Sequence, residues 1–185
     1  MALSTLSGDE QGILFVQLCN VLDPGIAVAL ASVSNELRAA TRAPLQQLKT
    51  GHEAAAALCR KLGHRNCKAL REAKAVYCWN KGLTADELKL LGTLGSVLPA
   101  LETLDLCEPA AGPDGVQQLA AGLGAGALPA VTVIGIFCTH VGDAGASALA
   151  AALGQGALPR LKSLALNSAA VGDAALGALA PALRR

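Results

Sequence analysis

Leu-Pro pairs stand at positions 98–99, 128–129 and 158–159, a period of 30 residues that constrains the fold more than anything else in the chain. The segments 98–127, 128–157 and 158–185 superimpose without a gap. A weaker copy lies upstream at a 28-residue offset, where Ala73, Val76, Cys78, Leu83 and Leu91 echo Leu101, Leu104, Leu106, Ala111 and Leu119. One unit of this length cannot cover its own apolar face, so successive units must stack and share a continuous core. The chain has only four aromatic residues, Phe15, Tyr77, Trp79 and Phe137, so that core is built from Leu, Val and Ala in thin layers.

Each unit reads as strand, turn and helix. Leu104 and Leu106 alternate at period 2 and point to one side, as do Ile134 and Ile136, and Leu164 and Leu166. Val116, Leu119 and Leu123, then Leu149 and Leu153, then Leu176, Leu179 and Leu183 follow at helical spacing. Asp114, Asp143 and Asp173 stand where these helices begin and are expected to cap them. Thr84-x-x-Glu87 offers a capping box at the matching upstream place. Gly126 and Gly156 are suited to end their helices in the left-handed conformation, and the Leu-Pro pair stops continuation. Parallel strands with a helix on each return path give a curved ribbon.

The signature L-x-x-L-x-L followed by V-G-D-A-G-x-x-A-L-A-x-A-L, running from residue 69 to the C-terminus, resembles the ribonuclease-inhibitor-like class of leucine-rich repeats. The resemblance implies an α/β leucine-rich-repeat solenoid, with parallel strands on the concave face and helices on the convex face. The units would be 69–97, 98–127, 128–157 and 158–185, after a helical N-terminal region, 1–68. The family often carries Asn or Cys three residues after the last strand leucine, where the side chain ties the turn. Here Pro109, Thr139 and Ala169 stand there, so looser turns are expected.

The N-terminal region contains the apolar run 13–22, ended by Asp23-Pro24, and helical patterns over 26–40 and 47–62. Segment 14–40 resembles an F-box through Leu18, Val21, the Leu22-Asp23-Pro24 step, Ala31, Val33-Ser34 and Leu37-Arg38. It departs from the family at its opening Leu-Pro, where Asp9-Glu10-Gln11 stands. The resemblance implies that Leu18, Leu22, Pro24, Val33 and Leu37 would dock a ubiquitin-ligase adaptor. The alternative reading is a helical cap shielding the first repeat.

Net charge is +1, so the molecule as a whole is not built to bind a polyanion. Between Glu36 and Lys89, however, eleven Lys/Arg face five Asp/Glu. The run Arg60, Lys61, Arg65, Lys68, Arg71 and Lys74 reads as a solvated helical face rather than a nucleic-acid site. No secretory leader and no apolar run of the ~20 residues a membrane helix needs is visible. With six cysteines expected as free thiols, the expected compartment is cytoplasmic or nuclear. Cys59, His64 and Cys67 are three groups without a nearby fourth, which disfavours zinc. No nucleophile–base set appears, and the glycines of 122–126 lack a phosphate-loop ending. Neither an enzyme nor a cofactor site is expected.

The strand phase carries the functional expectation. If Val76 and Cys78 point inward, Tyr77 and Trp79 point to the concave face. The same columns continue as Asp105 and Cys107, Gly135 and Phe137, and Ala165 and Asn167. Tyr77, Trp79, Asp105, Cys107, Phe137 and Asn167 are therefore the expected partner-binding residues, since exposed aromatics anchor interfaces. The leading expectation is a non-catalytic protein-binding scaffold with a protein partner. The alternatives are an F-box substrate receptor of a cullin ubiquitin ligase and a small-GTPase regulator, since the repeat class resembles that of Ran GTPase-activating proteins. The strand around Leu164 would leave an open C-terminal edge for self-association.

Overall fold

A computed structural model of the chain describes residues 20–32, 41–112, 114–137, 141–167 and 171–183. It divides into two compact units, 1–57 and 58–185.

The first unit opens on a turn held by Asn20, whose side chain accepts from the Leu22 N–H at 2.8 Å while its carbonyl accepts from the Asp23 N–H at 2.9 Å. Pro24 then leads into helix α1, Gly25–Ala31. Helix α2 is Arg42–Lys61 and begins five residues before the sequence pattern suggested. Pro44 explains the early start: in a first turn its missing N–H has no intrahelical partner to lose. The core here is small. Ala27 and Ala31 of α1 meet Leu48 of α2, with Val21, Leu30 and Leu45 packed against them. The helical pattern expected over 26–40 is observed to Ala31, and 33–40 lies outside the described residues.

The second unit takes in the end of α2, from Leu58 onward, and then helix α3, Cys67–Glu72. Four strands follow: β1 Ala75–Trp79, β2 Thr103–Cys107, β3 Val133–Ile136 and β4 Ser163–Leu166. They form one parallel sheet in the order β1-β2-β3-β4. Parallel neighbours need a long crossover, and the crossovers carry helices α4 Ala85–Thr93, α5 Gly115–Gly122 and α6 Gly142–Gly154. Helix α7, Asp173–Leu183, follows β4. Helices α4 to α7 pack side by side in chain order, as the strands do.

The sheet register follows the sequence repeat. Val76 pairs with Leu104 and Cys78 with Leu106, the 28-residue offset of the weaker copy. Leu104 pairs with Ile134 and Leu106 with Ile136, then Ile134 with Leu164 and Ile136 with Leu166, at 30 residues. The inward side chains of β1, β2 and β3 are buried, as are Leu88, Leu91, Val116, Leu119, Leu149 and Leu153 from the crossovers. Two helices approach closely enough to demand glycine. A Cβ added to Gly92 of α4 would collide with the Leu119 carbonyl, and one added to Gly122 of α5 with the Lys89 carbonyl.

Helix starts depart from the sequence expectation. Thr84 and Glu87 do form the capping box. Asp114, by contrast, makes no side-chain cap bond. Its own backbone is already helical, with φ −88° and ψ −9°, and a capping side chain needs an extended residue. Asp143 lies inside the first turn of α6, and its carboxylate accepts from the Gly172 N–H, just before α7, at 2.6 Å. Asp173 is the first residue of α7. The helix ends fit better. After α6, Gly156 has φ 91°, its N–H donates to the Leu153 carbonyl and that of Ala157 to the Ala152 carbonyl, a Schellman arrangement. Gly126, with φ 72°, lies in the turn beyond α5 rather than directly at its end.

The turn after β1 is tied by a side chain from the end of β2. Glu108, 0% exposed, sends its carboxylate back to accept from the N–H groups of Lys81 (2.6 Å) and Leu83 (3.1 Å). Of the three positions where looser turns were expected, Pro109 opens a short 3-10 turn, Pro109–Ala111, and Thr139 and Ala169 lie outside the described residues. In α7, Leu176 and Leu183 are 48% and 42% exposed instead of buried, because α7 packs against α6 on one side only among the described helices.

Candidate binding face

Alternation along each strand sends one set of side chains to the helices and the other to the opposite face. On that open face Tyr77 and Trp79 are 53% and 59% exposed, values far above those of the inward Val76 and Cys78. Their rings meet edge to face, with centroids 6.0 Å apart and planes at 73°. This is a favoured aromatic geometry, so the two side chains orient each other.

Across the sheet Tyr77 pairs with Asp105 and Trp79 with Cys107, and Asp105 pairs in turn with Gly135. Gly135 gives the face its shape. A Cβ built there would stand 2.6 Å from Phe137 Cζ and 2.5 Å from Asp105 Oδ1. The Phe137 ring therefore folds back along its own strand over the glycine, and the Asp105 carboxylate leans over the same spot. Glycine within a strand often marks a close approach of this kind. That was the available sequence signal for the Phe137 orientation, and strand alternation alone does not contain it.

Trp79, Cys107 and Phe137 line a shallow apolar slot of about 400 Å³, with Cys107 on the strand between the two aromatic residues. Its walls come from β1 and from just beyond β3, two strands away. Adjacent strands lie about 4.8 Å apart, which sets the walls roughly 10 Å apart at their Cα atoms. The remaining face positions, Ala165 and Asn167, are half-buried and exposed. All six residues expected on this face are on it.

The other expected residues fall elsewhere. Leu22 is buried in the first unit and Pro24 half-buried, while Leu18, Val33 and Leu37 lie outside the described residues. The basic run is partly committed to structure. Lys61 reaches the Gly82 carbonyl at 2.8 Å and Glu87 at 2.6 Å. Burial alone would raise the Glu87 carboxyl, but hydrogen bonds from Lys61 and Thr84 outweigh it and hold the group below its ordinary range. Lys68 pairs with Glu72 at 3.8 Å and Lys74 with Glu102 at 3.4 Å.

The buried thiols are packing groups. Cys59 and Cys67 touch at 3.6 Å between sulfurs. Burial, aided by Cys67, pushes the Cys59 thiol up to about 12, and burial, aided by the Glu108 charge, does the same for Cys78. Both shifts favour the protonated thiol over the thiolate, which is the reactive form. His64 is also shifted, its ring held below the usual histidine value by burial.

Comparison with known proteins returns no match to this chain: no family model, no curated protein and no solved structure.

Proposed function

We propose that this chain is a leucine-rich-repeat array of the ribonuclease-inhibitor-like class and that it works as a non-catalytic protein-binding module. Its open sheet face is the binding surface. The repeat reading is supported by four parallel strands in chain order, spaced by 28, 30 and 30 residues, with a helix after each. The binding reading rests on one observation: a chain with four aromatic residues presents three of them together on a single solvent-facing sheet surface. Large aromatic side chains gain little by standing in water, whereas in an interface they supply anchors. A protein partner fits this face better than a nucleic acid, since its strand positions carry Asp105 and no lysine or arginine.

The test compares capture by the wild-type chain with capture by Trp79→Ala and Phe137→Ala, followed by quantitative mass spectrometry. A partner held through this face is depleted tenfold or more on both variants, as expected for central aromatic anchors worth about 2 kcal/mol. Trp79 is mostly exposed and loses only its edge-to-face contact with Tyr77, so its removal changes folding stability by about 1 kcal/mol. Partners retained equally by both folded variants would overturn the assignment.

A further inference from the structure

We propose that the slot between Trp79 and Phe137 receives the guanidinium group of an arginine presented by the partner protein, with Asp105 as its counter-charge. The proposal rests on the binding-face reading and adds the chemistry of the occupant.

The aromatic walls alone would accept any flat or apolar side chain. Asp105 narrows the choice. It stands half-buried between Tyr77, its register partner on β1, and the Phe137 ring folded over Gly135. Among the described residues no hydrogen bond or ion pair reaches its carboxylate, and no other strand position on this face carries an acidic or basic side chain. A partner that covered this face with apolar groups would strip water from a charge and return nothing for it, a strongly unfavourable exchange. The partner must therefore bring a donor, and a cation best of all.

Of the two side-chain cations, arginine fits the geometry. Its planar group stacks against aromatic faces while its edge presents N–H donors in a fork that matches a carboxylate. A planar group stacked between two rings needs about 3.5 Å on each side, so ring planes roughly 7 Å apart suffice. The two rings are anchored two strands apart, with the short Cys107 between them, and line one slot of about 400 Å³. Lysine would satisfy the charge but has no plane to stack.

Trp79 is the only tryptophan of the chain, so its emission reports this slot directly. The probe is the peptide acetyl-Gly-Gly-Arg-Gly-Gly-amide, titrated into the full-length chain through the millimolar range, where one well-placed side chain binds. Two matched peptides carry citrulline or norleucine in place of arginine. We expect a saturable change in Trp79 emission with the arginine peptide, weakened roughly tenfold for citrulline and by Asp105→Asn. Binding should also weaken as salt rises, because the ion pair is only partly shielded. Phe137→Leu keeps the wall apolar but removes its π face, and should weaken the arginine peptide more than the norleucine peptide. Equal or tighter binding of norleucine, or unchanged arginine binding in folded Asp105→Asn, removes the cation and leaves the binding face standing. The absence of any saturable response to arginine overturns the proposal outright. The binding-face reading itself falls separately, by captured partners that survive both Trp79→Ala and Phe137→Ala.

Discussion

Glu108 shows how much one side chain can carry in this fold. Its carboxylate lies fully out of water and holds two backbone N–H groups of the preceding turn. Glu108→Gln keeps the size but replaces one acceptor oxygen with a donor, so one N–H then faces another donor in a buried site. An unsatisfied buried group costs about 1–3 kcal/mol. We expect the denaturation midpoint to fall by that equivalent at unchanged slope; a variant as stable as the wild type would show the turn to be held by other means. The sequence concealed this role, because a glutamate after a strand looks like an ordinary surface residue. Only the backward reach to Lys81 and Leu83, about one repeat away in sequence, makes it structural. Phe137 carries the same lesson on the open face. Alternation put it on the correct side, but its fold-back over Gly135 depends on a neighbour having no side chain.

At the scale of elements, α4 and α5 are held in backbone contact by a facing pair of glycines, Gly92 and Gly122. The repeat pattern gave no hint of it, since glycine inside a helix ordinarily reads as a weakness. Gly122→Ala would drive a methyl group into the Lys89 carbonyl and push the two helices apart, a cost of about 1–3 kcal/mol. Gly124→Ala is the control. That position has no positive φ and no atom within 4 Å of an added Cβ, so its melting temperature should stay within a few degrees of wild type or rise. Equal effects at both positions would contradict the close approach. The boundaries between units have a similar character. The Asp143 bond to Gly172 stitches α6 to the next unit, although its spacing had suggested a cap for its own helix. A helix start and a link between units can use the same aspartate, and local sequence does not distinguish them.

For the whole molecule, stability is expected to be graded along the second unit. Each strand and helix leans mainly on its chain neighbours, so an element with one neighbour opens before an element with two. Leu104, Leu106, Ile134 and Ile136 are buried, while Leu164 and Leu166 are only half-buried and Leu176 and Leu183 are exposed. Amide hydrogen exchange should therefore be fastest in β4 and α7 and slowest in β2 and β3. Uniform protection across all four strands would instead indicate one cooperative block. β1 also has a single sheet neighbour, yet its inward Val76 and Cys78 are fully buried, whereas Leu164 and Leu166 of β4 are half-buried. It should exchange more slowly than β4.

What the sequence determined by itself was everything that periodicity encodes. The 28- and 30-residue spacings gave the strand register, and the two-residue alternation gave the face on which Tyr77, Trp79, Asp105, Cys107, Phe137 and Asn167 stand. Both are consequences of backbone geometry that any suitable chain obeys. The tertiary structure alone decided where particular side chains reach: Glu108 to the turn before it, Asp143 to Gly172, Lys61 to Glu87, and Phe137 into the space above Gly135. Those contacts depend on how close stacked units come and on which neighbour leaves room. That distance is set by the packed side chains of two or more units at once, so no single stretch of sequence contains it.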